Sequence, residues 1–385
     1  MFTKNISFKN FLSKSNSIKI KKDFNILINQ NIGVIEPLKN SYKNNYSKKL
    51  VYKFKRFKTI RIIGMGGSIL GIKAIYKFLQ NKIKKKLTFI DNLDINLISH
   101  HKKNKNLNLI ISKSGNTLET ITNTNILIKK SDKNIFITET KNSYLRNLAN
   151  QIKGEIIEHK NFIGGRYSVL SEVGMLPAEL LGLNEKKFKR FNKLIKNKIF
   201  INNLVKNVKC TLDFLKKGKF TSVILNYDER SDELFKWYQQ LIAESLGKKS
   251  KGIMPVISSM PKDNHSQMQL YLDGPNKSFY TFFYVHDKKV IKINNDKILN
   301  SHNYLKNESI NSISLYQKKA TEKIFMRKKI PFRSFEILDR NEETMGELFC
   351  FFILETILLG RAMKINPFDQ PSVELIKKET KKFFI

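Results

Sequence analysis

Cys210 and Cys350 are the only cysteines in 385 residues, which excludes a disulfide framework and a thiolate zinc site. The six histidines (His100, His101, His159, His265, His286, His302) show no H-x-H or H-x-x-x-H spacing, so no metal site is expected. Proline and glycine are few, 8 and 17, which argues against a collagenous or linker-rich chain. The most apolar run, 348–360, is too short to span a bilayer and carries Glu355, so it reads as a buried helix. Residues 1–22 have no apolar core of a secretory signal. They are acid-poor like an organelle transit peptide, but they contain no Arg. A soluble, cytoplasmic protein with no membrane partner is the expectation.

Acidic residues are also scarce, with Lys+Arg 71 against Asp+Glu 33 and a net charge of +38. A hydrophobic fraction of 41% is nevertheless too large for a disordered chain, and the length suits two or three domain-sized units. Lys far exceeds Arg and is strewn along every segment beside Asn, Ile and Phe. Nucleic-acid binders cluster their basic residues and use Arg for bidentate contacts, so no specific nucleic-acid partner is expected. The charge attracts polyanions weakly and speeds encounter with anionic substrates. The densest run, 82–86, is a solvated helix end.

The periodicity predicts strand 59–63, helix 69–79, strand 87–90, strand 107–112, helix 117–128, strand 134–138, helix 144–152 and strand 155–159. An apolar helix, 169–181, follows. Strand–helix alternation of this kind means a parallel sheet covered on both faces, spanning residues 51–185. Residues 185–215 are a Lys-rich amphipathic bridge of one or two helices. The pattern then restarts with strand 220–225, helix 229–246, strand 279–285, helix 310–327, strand 332–338 and helices 342–363 and 372–383. Two tandem α/β units are expected, 51–185 and 186–385, with residues 1–50 packed on the second. No sequence repeat links the halves.

Three loops carry the chemistry. The first predicted strand ends in Gly64-Met65-Gly66-Gly67-Ser68, where backbone N–H groups at a helix start favour an anion. Ile69 breaks a dinucleotide fingerprint and no G-K-[ST] follows, so a plain strand–helix turn stays open as the alternative. Strand 107–111 runs into Ser112-Lys113-Ser114-Gly115-Asn116-Thr117-Leu118-Glu119-Thr120. One hydroxyl suffices for a helix cap, so several at a strand's C-terminal end favour a monophosphate, and hence a small phosphoester. In Gly164-Gly165-Arg166-Tyr167-Ser168 the Arg sits between glycines and a helix start, placed either to neutralise an oxyanion or to pair with a structural carboxylate.

These blocks, followed in order by Glu244-Ser245-Leu246-Gly247-Lys248, Asn264-His265-Ser266 and Phe368-Asp369-Gln370-Pro371-Ser372-Val373-Glu374-Leu375-Ile376-Lys377, resemble those of the glucose-6-phosphate isomerase family over about 59–378. The resemblance implies two sugar-isomerase domains of three αβα layers, a homodimer and aldose–ketose isomerisation through a cis-enediol without metal or organic cofactor. By motif, Glu244 corresponds to the general base and Arg166 to the enediolate stabiliser. His265, supplied across the dimer interface, and Lys377 correspond to the ring-opening residues. Ser112, Lys113, Ser114 and Thr117 correspond to the phosphate loop, Gly67, Ser68 and Gln370 to the sugar pocket, and Glu119 to a supporting glutamate.

Three departures stand out. Glu172 occupies a position where a small residue or Pro is common. Ser372 and Ile376 flank the Lys377 block differently from many members. Residues 258–263 lack a glycine-rich approach to His265. The chain is also short for the family, which implies reduced terminal arms. Rival readings are a dual isomerase that also accepts mannose 6-phosphate, a sugar-phosphate-binding regulator without chemistry, and a polyanion binder. A regulator should lack the base, the Arg or the Lys, and all three are present.

Overall fold

The computed structural model describes residues 2–12, 17–30, 32–95 and 107–384. His100 and His101 lie outside them. Among the described residues ten strands form two sheets: β1 (Ile6–Lys9), β2 (Thr59–Gly64), β3 (Lys86–Ile90), β4 (Leu107–Ile111), β5 (Lys133–Thr138), β6 (Glu155–Glu158), β7 (Thr221–Asn226), β8 (Met254–Ser259), β9 (Ser278–Val285) and β10 (Phe332–Ile337). The first sheet has the order β3-β2-β4-β5-β6 and is parallel throughout. The second has the order β1-β10-β9-β7-β8 and is parallel except for β1.

The central strands carry little alternation because both of their faces are covered. All five residues of β4 are buried, and its one polar member, Asn108, donates to Asn134 Oδ1 at 2.8 Å. Arg61, buried in mid-β2, donates to Asn108 Oδ1 and to the Leu127 carbonyl. Buried polar groups within a strand are tolerated when they are hydrogen-bonded.

The two halves share one hydrophobic cluster. Helix Asp232–Leu246 of the second half lies on helix Leu70–Phe78 of the first and buries Leu234, Phe235, Trp237, Leu241 and Ile242. Trp237 meets Phe349 edge-on at 4.7 Å, so truncating it to Ala is worth about 3–5 kcal/mol. That seam carries the end of helix Asp232–Leu246 to the loop after β2.

Residues 1–50 do not pack on the second half alone. β1 pairs with β10 and helix Ile18–Asn29 lies on helix Glu342–Ala362, but Tyr42 and Tyr46 donate to Glu172 and Glu179 of the first half. Buried Glu172 and Glu179 need donors, and the extension supplies Tyr42 to the first and Tyr46 and Lys48 to the second. The expected helix 169–181 is a 3-10 turn, Gly165–Leu170, followed by helix Glu172–Leu180. Its break falls at Ser171, which caps the helix by accepting from Val173 N. The bridge is three helices, Glu185–Phe188, Phe191–Leu194 and Lys198–Lys216, because Asn184 and Asn197 each cap a new start. No helix among the described residues is long and apolar enough to cross a membrane.

Candidate active site

The loops after β2 and β6 touch backbone to backbone. A Cβ on Gly67 would stand 2.1 Å from the Gly165 carbonyl carbon, so only glycine permits this approach. Ser168 Oγ donates to the Gly165 carbonyl at 2.7 Å and closes the turn that presents Arg166.

Arg166 is 2% exposed. Its Nε donates to Ser245 Oγ at 2.8 Å, and Nη1 donates to Glu244 Oε2 at 3.0 Å and to Gln370 Oε1 at 2.8 Å. Nη2 donates to the carbonyls of Pro367 at 2.7 Å and Asp369 at 3.0 Å. A rigid fork of donors is thereby fixed by two separate stretches of chain, 244–245 and 367–370. Glu244, in the last turn of helix Asp232–Leu246, is only partly buried and receives Gln240 Nε2 on its other oxygen at 2.8 Å. The carboxylate is thus held in one orientation while remaining open to the cleft.

The hydroxyl loop after β4 forms the opposite side. Thr117 is the N-cap of helix Leu118–Leu127, but its side chain does not cap it. Thr117 Oγ1 instead meets Ser112 Oγ at 2.9 Å. Ser114 is exposed and accepts from Asn116 N, and Gly115 takes φ +66, where a side chain would strike Ser143. A helix start with hydroxyls not spent on capping suits an anion. Lys113 Nζ is turned to the Asn161 carbonyl at 2.6 Å and to Glu139 at 3.5 Å, and its own carbonyl accepts from Glu139 N and Thr138 Oγ1.

These groups line one open cleft of ≈ 740 Å³, to which Gly67, Ser68, Lys113, Ser114, Thr117, Arg166, Glu244, Gln370 and Lys377 contribute. Ser112 is buried behind Thr117, and Glu119 lies in the first turn of helix Leu118–Leu127, off the cleft lining. Lys377 belongs to helix Pro371–Lys382 and pairs with Glu374 at 2.6 Å. His265 ends the 3-10 turn Lys262–His265 after β8, exposed and away from the lining of this cleft. Sequence reasoning assigned no task to Gln240 or Ser245. Gln240 stands four residues before Glu244 on one helix, a spacing that places the two side chains together and was the available signal. Among the described residues no group of three or more His, Cys, Asp or Glu is placed to hold a metal ion.

Two parallel-sheet units joined along a shared core, with a hydroxyl anion loop facing an Arg–Glu pair, define a phosphosugar isomerase built from sugar-isomerase domains. Comparison with known proteins agrees. The family described as phosphoglucose isomerase matches residues 20–384. A probable glucose-6-phosphate isomerase of Methanococcus maripaludis is 34% identical over 398 residues, covering 97% of this chain and 87% of its own. The glucose-6-phosphate isomerase of Methanocaldococcus jannaschii is 34% identical over 84% of this chain and 83% of its own. In fold, the chain is similar to a glucose-6-phosphate isomerase from Chlamydia trachomatis, with TM-score 0.78 and 16% identity over 95% of this chain and 83% of that one. A hypothetical protein from Thermus thermophilus gives TM-score 0.82 at 22% identity, covering 95% and 94%. The chain belongs to the phosphoglucose isomerase family.

Proposed function

We propose that this chain interconverts D-glucose 6-phosphate and D-fructose 6-phosphate, the aldose–ketose step shared by glycolysis and gluconeogenesis, in the cytoplasm. The phosphate binds at Ser114, Thr117 and the Lys113 backbone, with Ser112 holding Thr117 in place. Gly67, Ser68 and Gln370 line the sugar. Lys377 and His265 assist ring opening at the ring oxygen. Glu244 then takes the C2 proton and returns it to C1, a general-base task typically worth about 10²–10⁴-fold. Arg166 stabilises the negative charge that grows on the enediolate oxygen.

The observation that carries this reading is the held carboxylate: Glu244 is fixed between Arg166 and Gln240 in the same cleft that the anion loop enters. The test is turnover of glucose 6-phosphate in deuterated water. The parent should form fructose 6-phosphate and carry deuterium at C2 of recovered substrate. Glu244→Gln should lose both and still bind substrate. Substantial turnover by that variant would overturn the base assignment.

The reading includes a homodimer in which each cleft is completed by the partner subunit's His265. Its support is that His265 lies off the cleft of its own chain, while Val373, Leu375 and Ile376 stand exposed on the helix beside that cleft. Mixing refolded Glu244→Gln and His265→Gln proteins should restore roughly a quarter of the parent activity through hybrid dimers. No recovery would place His265 within its own subunit's chemistry or outside it altogether.

A further inference from the structure

His159 follows β6 and is buried with Glu172, their side chains 1% and 0% exposed. Its Nδ1 lies 2.6 Å from Glu172 Oε1, and its Nε2 lies 3.1 Å from the Ile163 carbonyl oxygen. A carbonyl only accepts, and so does an ionised carboxylate, so the ring donates at both nitrogens only when doubly protonated. Burial by itself would raise the Glu172 carboxyl. Hydrogen bonding and charge from His159, a backbone N–H and the Tyr42 hydroxyl outweigh burial and hold the carboxyl below its ordinary value. Tyr42 donates to Glu172 Oε2 at 2.8 Å, and Lys160 N approaches Oε1 at 3.4 Å.

The surrounding charges are accounted for. Lys160 and Lys189 both lie over the Tyr42 ring, and Lys189 also donates to the carbonyls of Pro37 and Leu170. Glu158, on the strand before His159, faces Arg146 at 3.6 Å. Glu179 is taken up by Tyr46 and Lys48, and Lys48 also reaches Glu185.

Two glycines are all that separate Ile163 from Arg166. Gly164 and Gly165 have no Cβ to limit their dihedrals, so this segment needs an outside anchor to keep a single course. Neither His159 nor Glu172 lines the cleft.

We propose that His159 and Glu172 are positioning residues: their buried ion pair pins the Ile163 carbonyl and thereby sets the two-glycine turn that aims Arg166. The turnover readouts rest on the isomerase reading above, while a backbone readout does not. Misplacing a catalytic group by about 1 Å can cost on the order of 10²-fold. Arg166 keeps its five side-chain bonds, so the effect here is smaller, about tenfold.

The experiment compares parent, Glu172→Gln and the double variant H159L/E172L in glucose 6-phosphate turnover from about pH 6 to 9, with melting temperature and amide exchange across residues 163–168. In Glu172→Gln, kcat should fall about tenfold with KM within about twofold. The double variant replaces a buried ion pair by apolar side chains, an exchange that is often neutral or stabilising. It should melt at or above the parent temperature, lose about tenfold in kcat, and exchange the 163–168 amides about tenfold faster.

A double variant with parental kcat and parental exchange overturns the proposal, as does a raised KM at unchanged kcat. If Glu172→Gln fails to fold, the double variant decides on the same readouts. A parent without turnover sinks the isomerase reading, and amide exchange alone then decides this one.

Discussion

Arg166 and Lys377, two of the cations that border the cleft, do so on opposite terms. Arg166 is buried, and its guanidinium is gripped by Glu244, Ser245, Gln370 and the carbonyls of Pro367 and Asp369. Lys377 has a side chain 63% exposed, with a single ion pair to Glu374, three residues away on the same helix. Helix Pro371–Lys382 buries no residue at all. A group that meets charge as it develops works best when it needs no reorganisation, which burial and several partners provide. A group that exchanges a proton with a mobile ring oxygen benefits from a hydrated, flexible stem. On the proposed mechanism, the difference separates a preorganised electrostatic wall from an adjustable proton-transfer wall.

The strongest challenge to this contrast is Arg166→Lys. The charge stays, but one ammonium cannot serve five acceptors on two stretches of chain. We expect kcat to fall by about 10²–10³-fold, as for loss of a preorganised oxyanion donor. Stability should fall by about 1–3 kcal/mol from buried acceptors left unmet. Kinetics and a denaturant titration on one preparation measure both. A variant that loses stability but keeps its kcat would make Arg166 a structural pairing residue, the alternative its sequence context also allows.

Lys377→Met comes next. Removing a proton-transfer group should lower kcat by about 10²-fold on the ring-closed substrate. Its exposed position predicts a stability within about 0.5 kcal/mol of the parent. Because the defect lies in ring opening, the acyclic fraction of the sugar should be turned over nearly as by the parent, and stopped-flow mixing with freshly opened substrate checks this. If Lys377→Met destabilised the protein more than Arg166→Lys, the two walls would not differ as described.

The two walls were unequally legible in the sequence. The Arg166 turn was marked by two glycines and a helix start, and its neighbour Gly67 belonged to another glycine cluster. What joins them is a backbone contact between distant loops that no local pattern encodes. The central strands stood out because burial on both faces leaves near-continuous apolar runs. β1 and β8 were missed for opposite reasons. β1 is four residues long and joins the sheet at its edge by antiparallel pairing with β10. β8 contains Pro255, which sequence reading treats as a strand breaker but which an edge strand accommodates. Glu172 was visible only as an odd residue after Ser171. Its meaning needed His159, brought to it by a strand end, a glycine turn and a helix start.

The smallest expected effect comes from Glu374→Ala, which removes the ion pair that Lys377 makes among the described residues. Both side chains are more than half exposed, 63% and 54%, so solvent screens the pair heavily. Exposed pairs three residues apart contribute about 0.2–0.5 kcal/mol at most, and the melting temperature should barely move. Freed from its neighbour, Lys377 keeps its charge and its reach, so kcat should change by less than about threefold. Steady-state kinetics at low and high ionic strength make the check sharper. In the parent, added salt weakens the pair and should bring its kinetics toward those of Glu374→Ala, whereas the variant has no pair to screen. A large loss in the variant at both salt concentrations would mean that Glu374 holds Lys377 in a required pose. The Lys377 wall would then be preorganised after all, and the contrast with Arg166 would reduce to a difference in burial.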